Sequence, residues 1–139
     1  MKEMKIKLDS CAFIPVRAHD TDAGADLRSP VDALVPPRGS RVIDTGVHIQ
    51  LPHGYVGMLK SKSGLNVKHG ITSEGVIDEG YTGPIKVKLY NHGDEPCSIE
   101  RGDKITQLVI MPCAYVDFDI VDDLEDSERG SDGFGSTGK

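Results

Sequence analysis

Alternation of apolar and polar residues predicts a chain built mainly from short β-strands. A two-residue period places one face of a strand in a core and the other in solvent. Residues 105–111 are more continuously apolar, as in a strand buried on both faces. The other runs that favour strands are residues 4–8, 13–16, 42–43, 47–51, 55–60, 85–90 and 116–121.

Turn residues separate these runs at close spacing. Pro36-Pro37-Arg38-Gly39, Pro52-His53-Gly54 and Arg101-Gly102-Asp103 are typical turn sequences. Many short strands joined by close turns predict an all-β fold, a sandwich or a distorted jelly-roll-like β domain. One short helix is predicted between Ser63, as its cap, and Gly70, which would end it.

The end of the chain has a different composition. Residues 122–128 are strongly acidic, and residues 129–138 are rich in glycine. We therefore predict a single β domain over residues 1–121, followed over residues 122–139 by an acidic linker and a flexible Gly-rich C-terminal flap. Such a segment can be a disordered tail, or it can order over a ligand, with Phe134 stacking and Arg129 meeting an anion.

Residues 74–83 form the most suggestive stretch. Val76 and Ile77 lead to Asp78, glycines bracket the following turn, and Tyr81 comes three residues later. The local pattern predicts a β-hairpin that could hold a general base and a flat ring against one substrate. The alternative is an ordinary turn, because Asp and Gly are common turn residues.

Composition narrows the functional classes. The chain has 139 residues, 16 Gly, 8 Pro, no Trp and a net charge of −6. We expect no broad nucleic-acid binding, because no basic surplus exists, and no membrane span, because the longest apolar run is far too short. Three cysteines without a Cys-x-x-Cys pair and the lack of a visible signal peptide predict a cytoplasmic protein, or a viral or phage protein acting inside the host cell.

Familiar catalytic motifs are missing from the sequence, including phosphate-binding loops, His-Glu-x-x-His and Gly-x-Ser-x-Gly. The candidate chemistry is a set of carboxylates, a Ser-Gly turn beside lysines and the glycine-rich tail. That combination suits Mg²⁺ held mostly by substrate oxygens and water.

Five segments in order resemble the motifs of the trimeric deoxyuridine triphosphatases (dUTP pyrophosphatases), and the resemblance covers nearly the whole chain. Each segment alone is weakly specific, but their order and spacing together are highly specific. They are Ala23-Gly24-Ala25-Asp26-Leu27; Lys62-Ser63-Gly64-Leu65; Gly75-Val76-Ile77-Asp78 through Tyr81-Thr82-Gly83; Gly102-Asp103-Lys104-Ile105-Thr106-Gln107-Leu108; and residues 129–138.

The resemblance implies Mg²⁺-dependent hydrolysis of dUTP to dUMP and pyrophosphate by a homotrimer with shared active sites. Asp78 is similar to the catalytic base that activates water for attack on the α-phosphorus. Tyr81 resembles the aromatic under the deoxyribose, and the backbone around Gly75 is implied to bind the uracil edge. Asp26 resembles the carboxylate that holds Mg²⁺ through water.

The remaining implied roles concern the phosphates and the tail. Lys62, Ser63 and Gly64 resemble the motif at the α- and β-phosphates, and Gln107 resembles the glutamine on the phosphate side. In the tail, the implied substrate-binding residues are Arg129 on the γ-phosphate, Phe134 over the uracil, Gly135 and Ser136.

Two departures from the family pattern bear on these roles. Lys62 stands where many members carry Arg, which replaces a bidentate contact by a point charge. Asp132 stands where the tail usually has Gly, and its charge would repel a triphosphate. The alternatives are a relative of the dCTP deaminase type and an inactive dUTPase-like protein with a binding or regulatory role.

Overall fold

Most of the predicted strands form, and the strands of the chain pair as four small antiparallel sheets. The prediction of a strand over residues 13–16 is wrong, because only Val16 makes an isolated bridge, to Asp26. The structure is a computed structural model that describes residues 2–138. Within these residues the elements are β1 (Lys5–Leu8), β2 (Gly24–Arg28), β3 (Ala33–Val35), β4 (Ser40–Asp44), β5 (Val47–Gln50), β6 (Tyr55–Lys60), α1 (Ser63–His69), β7 (Ile71–Thr72), β8 (Glu74–Ile77), β9 (Lys86–Asn91), β10 (Cys97–Ile99) and β11 (Lys104–Pro112). The sheets are β2-β11-β6-β8, β4-β9-β7, β1-β5 and β3-β10.

Branched aliphatic side chains from the different sheets fill one core. Strand β9 illustrates the two-residue period, because Val87 and Leu89 are fully buried while Lys86 and Lys88 are exposed. Leu27 on β2 and Ile105 on β11 are buried in the same cluster. The predicted all-β, jelly-roll-like fold with one short helix is therefore confirmed.

The helix lies where the Ser63–Gly70 segment predicts it, although its first residue plays a different part. Lys62 is the N-cap and makes no side-chain capping bond, so the prediction that Ser63 is the cap is wrong. Ser63 is the first helical residue, and its hydroxyl is not used to close the helix end. Gly70 ends the helix in the left-handed conformation, at φ 64°, as predicted.

The predicted hairpin around Asp78 is wrong. Strand β8 pairs with β6, whereas β9 pairs with β4 and β7, so the two strands belong to different sheets. Residues 78–84, which we call the substrate loop, cross between these sheets. The turn residues correctly marked a break after β8, but turn chemistry does not determine which partner each strand takes.

The alternation at residues 116–121 does not produce a strand within one chain. After β11 the described residues 113–138 contain no helix or strand. Val116, Phe118 and Ile120 are 64%, 92% and 96% exposed, so their apolar pattern has no packing partner among residues 2–138. We call residues 113–128 the C-terminal arm and residues 129–138 the tail.

The boundary between a domain ending at residue 121 and a flap from residue 122 stays a prediction, and its outermost residues, 1 and 139, lie outside the described residues. In the part of the chain that the structure describes, no helix has both the length and the apolar character needed to cross a membrane.

Candidate functional site

A pocket of about 260 Å³ opens beside the substrate loop. Gly75 on β8, Asp78 and Tyr81 on the loop, and Lys86 at the start of β9 line it. The structure thus brings together three of the residues that the sequence singled out. The volume lies just below the range typical of small-molecule pockets, which suits part of a nucleotide rather than all of it.

Tyr81 is fixed by two hydrogen bonds within the loop. Its hydroxyl donates to the Pro84 carbonyl at 2.8 Å, and its backbone N–H donates to the Asp78 carbonyl at 3.1 Å. Gly80, at φ +92°, supplies the left-handed backbone that this turn requires. The ring is 46% exposed and lines the pocket, so it offers a flat surface for a ligand.

Glu79 is engaged in a hydrogen-bond network and is therefore not the free carboxylate of this loop. It accepts hydrogen bonds from the Tyr115 hydroxyl at 2.6 Å and the Gly54 backbone N–H at 2.7 Å, and it lies 3.0 Å from Nδ1 of His53. The Tyr115 hydroxyl first, and then the Gly54 N–H, lower the pKa of Glu79 to about 2. Asp78 is exposed and faces the pocket, which supports the choice of Asp78 over Glu79.

The Glu79 network predicts a pH-dependent contribution to stability. Because its folded pKa is about 2 and its ordinary value is 4.5, Glu79 stabilises the fold above about pH 4.5 and loses this effect as the pH falls towards 2. Melting temperatures of the wild type and Glu79→Gln should therefore differ most near pH 7 and converge in acid. Glu74→Gln, whose carboxylate meets only the exposed Lys60, is the matched control. A constant difference at every pH would contradict the assignment.

A second cluster surrounds the buried carboxylate of Asp26, which is 5% exposed. The ammonium groups of Lys62 and Lys104 lie 2.5 Å and 3.4 Å from its two oxygens. On β11, Gln107 is opposite Asp26 of β2 and Lys60 of β6. One carboxylate beside two cations leaves the cluster with a positive surplus, which favours a phosphate group.

Gln107 is held against the backbone on both sides. Its Nε2 donates to the Ser61 carbonyl at 2.9 Å. A Cβ on Gly24 would lie 2.2 Å from Gln107 Oε1, so only glycine at this position leaves room for the amide. The close contact with Gln107, in the fourth family-like segment, thus explains why Gly24 of the first segment is a glycine.

Lys104 is a candidate phosphate-binding residue that sequence reasoning missed. It belongs to the fourth motif and alternates with the apolar residues of β11, but nothing in the local pattern shows that it meets Asp26 across the sheet.

The two clusters lie at opposite ends of one strand pair. Ile77 is opposite Gly57 and Glu74 is opposite Lys60, so Asp78 follows one end of the β6-β8 ladder and Lys62 the other. The ladder spans three residue steps, or about 10 Å at strand spacing, and Asp78 and Lys62 lie beyond its two ends. Ser63 and Gly64 lie at the Lys62 end, at the start of α1. Within one chain, the structure does not bring Asp78 and the Ser-Gly turn to one site.

The tail residues also lie apart from the pocket. Arg129 Nε donates to the backbone carbonyl of Asp132 in a local turn, and Phe134 is fully exposed. Gly135 and Ser136 belong to the following turns, in which the Ser136 N–H donates to the Gly133 carbonyl. The described residues of the tail thus form local turns and are largely exposed.

The donor set around Asp26 fits only a particular kind of magnesium site. No group of three or more His, Cys, Asp or Glu side chains suitable for a metal occurs among residues 2–138. Asp26 accepts a hydrogen bond from Lys62 and lies 3.4 Å from the ammonium group of Lys104, yet its carboxylate has lone pairs left for water. The residues therefore fit Mg²⁺ that a substrate carries and that reaches Asp26 through water.

Comparisons with known proteins agree with this geometry. The family model described as dUTPase matches residues 11–138. The deoxyuridine 5'-triphosphate nucleotidohydrolase of Gloeothece citriformis is 43% identical over 99% of this chain and 97% of its own length. The enzyme of the same name from Clostridium kluyveri is 46% identical over 95% of this chain and 94% of its own length.

Solved structures show the same fold. A variant of the dUTPase of Staphylococcus bacteriophage 80alpha, solved with dUpNHpp, superposes with a TM-score of 0.90 at 32% identity and full coverage of both chains. A variant dUTPase from the S. aureus phage phi11, described for its coordination of a structural Mg(II) ion, superposes with a TM-score of 0.83 at 29% identity, over 90% of this chain and 100% of its own.

Proposed function

The chain belongs to the dUTPase family, and from this membership we propose how its residues hydrolyse dUTP to dUMP and pyrophosphate. The reaction supplies dUMP and keeps uracil out of DNA. The observation that carries the assignment of residues is the pocket beside the substrate loop, where Asp78 and the fixed ring of Tyr81 meet.

Asp78 acts as the general base in this proposal. Its carboxylate takes a proton from a water molecule whose oxygen forms a bond to the α-phosphorus. The bond from that phosphorus to the oxygen bridging to the β-phosphate breaks, and pyrophosphate leaves with the bonding electrons. A positioned base contributes about 10²- to 10⁴-fold, so positioning and charge stabilisation supply the remainder.

Nucleoside recognition is assigned to the same pocket. The deoxyribose lies on Tyr81, whose contact with the sugar leaves no room for a 2′-hydroxyl. The backbone of β8 near Gly75 is exposed in the pocket and pairs with the uracil edge. Cytosine in that position would leave a buried donor and acceptor unpaired, at a cost of about 1–3 kcal/mol each.

The phosphate-binding residues are contributed by a neighbouring copy of the chain. Asp78 and Ser63 must both approach the α-phosphate, yet within one chain they lie beyond opposite ends of the β6-β8 ladder, which is about 10 Å long. A closed ring of identical subunits solves this problem, because each interface can join the Asp78 end of one copy to the Ser63 end of the next. We propose a homotrimer, in which Lys62, Gly64 and Gln107 accompany Ser63 at the phosphates.

Exposed apolar surfaces support this assembly. Phe118 and Ile120 on the C-terminal arm are almost fully exposed, and a groove of about 190 Å³ lined by Ile6, Ile14 and Leu108 is open on the β domain. Contiguous exposed apolar surface of this kind marks protein–protein contacts. The arm of one copy and the groove of another are complementary in character.

Magnesium is proposed to arrive with the triphosphate. When bound, it spreads the negative charge that develops on the phosphoryl group and on the leaving pyrophosphate. Asp26 is the residue that would hold it, through water. In this proposal Lys62 and Lys104, whose ammonium groups neutralise Asp26, also donate to phosphate oxygens.

The tail closes the site in this proposal. Arg129 meets the γ-phosphate, Phe134 stacks on uracil, and the backbone at Gly135 and Ser136 completes the contacts. The local turns at Gly130 and Gly135, both with positive φ, give the tail the backbone freedom for such a closure. The three free cysteines fit a reducing compartment, and we place the protein in the cytoplasm of a cell or infected host.

A substrate panel tests the proposed activity. The protein is incubated with Mg²⁺ and, separately, dUTP, dCTP, dTTP and UTP, and the products are identified. We expect pyrophosphate and a monophosphate from dUTP at a rate at least about 10²-fold above the other three nucleotides. Ammonia released from dCTP would indicate a deaminase, and absence of turnover with all four would indicate a binding protein.

A further inference from the structure

We propose that His48, as an imidazolium, is a positioning residue that holds the Thr82 carbonyl and so fixes the Tyr81 part of the substrate loop. The inference rests on the proposed function, because it assigns the loop to dUTP. His48 lies on β5, outside all five segments that resemble the family motifs.

The His48 ring joins three separate parts of the chain. Its Nδ1 is 2.8 Å from the Thr82 carbonyl oxygen in the substrate loop. Its Nε2 is 3.1 Å from Oδ1 of Asp9, the residue after β1. The side chain is only 18% exposed, so water does not readily replace these partners. One ring therefore ties the loop to the two-stranded β1-β5 sheet.

The partners determine the protonation state of the ring. A backbone carbonyl and an ionised carboxylate are both acceptors only, whereas a neutral imidazole has a single N–H. Both contacts can be hydrogen bonds only if both ring nitrogens carry protons. The Thr82 carbonyl first, and then Asp9, raise the pKa of His48 above its ordinary value of 6.5.

Other charged groups around the ring come from β1. Lys5 and Lys7 line the same pocket of about 330 Å³, and the positive charge of Lys7 opposes protonation of His48. The Thr82 and Asp9 contacts outweigh this repulsion. The two hydrogen bonds of the His48 ring, to the Thr82 carbonyl and to Asp9, are what we call the His48 clamp. The clamp is thus present below the raised pKa of His48 and is lost as the pH rises through it.

Loss of the clamp affects substrate binding more than chemistry. Thr82 follows Tyr81, so a released Thr82 carbonyl frees the segment on which the deoxyribose is proposed to rest. Asp78 is held from the other side, by β8 and the bonded Glu79. We therefore expect a higher KM for dUTP and weaker discrimination against UTP, with a smaller change in kcat.

The experiment compares KM for dUTP between pH 6 and pH 9 in the wild type, His48→Leu and Asp9→Asn. At each pH the KM of the variant is divided by the KM of the wild type. This ratio removes the effect of titration of the nucleotide and of its magnesium complex, which is the same for every protein. For His48→Leu the ratio should be about three- to tenfold at pH 6, as for the net loss of one typical hydrogen bond, and should fall towards one at high pH. The dUTP-to-UTP preference should fall by a similar factor at pH 6.

Asp9→Asn separates positioning from simple structural support. An amide oxygen still accepts from Nε2 but no longer favours the charged ring, so the clamp should open at lower pH. Its KM ratio should be near one at pH 6, rise at intermediate pH and return towards one at high pH. His19→Leu removes an exposed His–Asp pair far along the chain from the loop and should match the wild type throughout.

The outcomes are distinguishable. Melting temperatures check that both variants are folded, and an NMR titration of the His48 ring in the wild type and Asp9→Asn measures the pKa directly. Parallel KM profiles in all proteins, or a His48 pKa below 6.5, would overturn the clamp even if dUTP is hydrolysed. Failure of the wild type to hydrolyse dUTP would instead overturn the proposed function.

Discussion

Replacing Asp78 by Asn is expected to abolish measurable dUTP hydrolysis, with kcat reduced by about 10³-fold or more, while nucleotide binding changes little. The amide keeps the size and position of the side chain but cannot accept a proton from water. Steady-state kinetics give the loss of turnover, and calorimetric titration with dUpNHpp gives the binding. Retained activity in Asp78→Asn would remove this residue from the role of base.

Glu79→Gln is the matched control for that substitution. Its carboxylate is one residue away but is bonded to Tyr115, Gly54 and His53. It should therefore lose stability rather than the chemical step, and its remaining folded fraction should turn over near the wild-type rate. A comparable loss of kcat in both variants would show that loop geometry, rather than the base, had been disturbed.

The Asp78→Asn variant also tests whether active sites are shared between subunits. Asp78→Asn and Ser63→Ala subunits, each expected to be inactive alone, are co-refolded in equal amounts. If every site takes Asp78 from one copy and Ser63 from another, about a quarter of the sites in a random mixture carry both intact residues. Recovery of activity to that fraction supports shared sites, whereas a mixture as inactive as its components argues for sites within single chains.

The sequence predicted the fold class because short strands leave a clear trace. The alternation of β9, with Val87 and Leu89 buried, and the left-handed Gly70 after α1 depend on neighbours within a few residues. The supposed hairpin at Asp78 and the supposed strand at residues 116–121 failed for a common reason. Strand partners are determined by long-range packing, which neither turn residues nor alternation encode.

In the candidate site, too, the sequence predicted individual residues but not the contacts between distant parts of the chain. The resemblance selected Asp78, Tyr81, Asp26 and Gln107, and the structure places them in two clusters. The carboxylate–lysine contacts of Asp26, the three partners of Glu79 and the clamp at His48 were not predictable, because each joins residues 25 or more positions apart. The approximate separation of the clusters likewise required the register of β6 against β8. Sequence thus selected the candidate residues, and the sheet register supports the proposed assembly.

Truncation after Glu128 is the second large expected effect: folding and assembly should persist, while kcat/KM for dUTP should fall by about 10²-fold or more. Residues 129–138 belong to no strand or helix and to no core contact, so the melting temperature and the number of subunits per particle in solution should stay unchanged. Loss of a base-stacking ring and of a charge-assisted phosphate contact removes about 1–3 kcal/mol each. Normal turnover of the truncated protein would contradict closure by the tail.

Point substitutions then divide that loss between the two proposed contacts. Phe134→Ala should raise KM for dUTP, and Arg129→Gln should lower kcat/KM more for dUTP than for a diphosphate analogue, because only the triphosphate offers a γ-phosphate.

Asp132→Gly should have the opposite effect and lower KM for dUTP. The Arg129 contact uses the backbone carbonyl of Asp132, so this change keeps that turn while removing a carboxylate that repels the triphosphate. A lower KM in Asp132→Gly, lost again when Arg129→Gln is added, would show that the tail closes through its arginine.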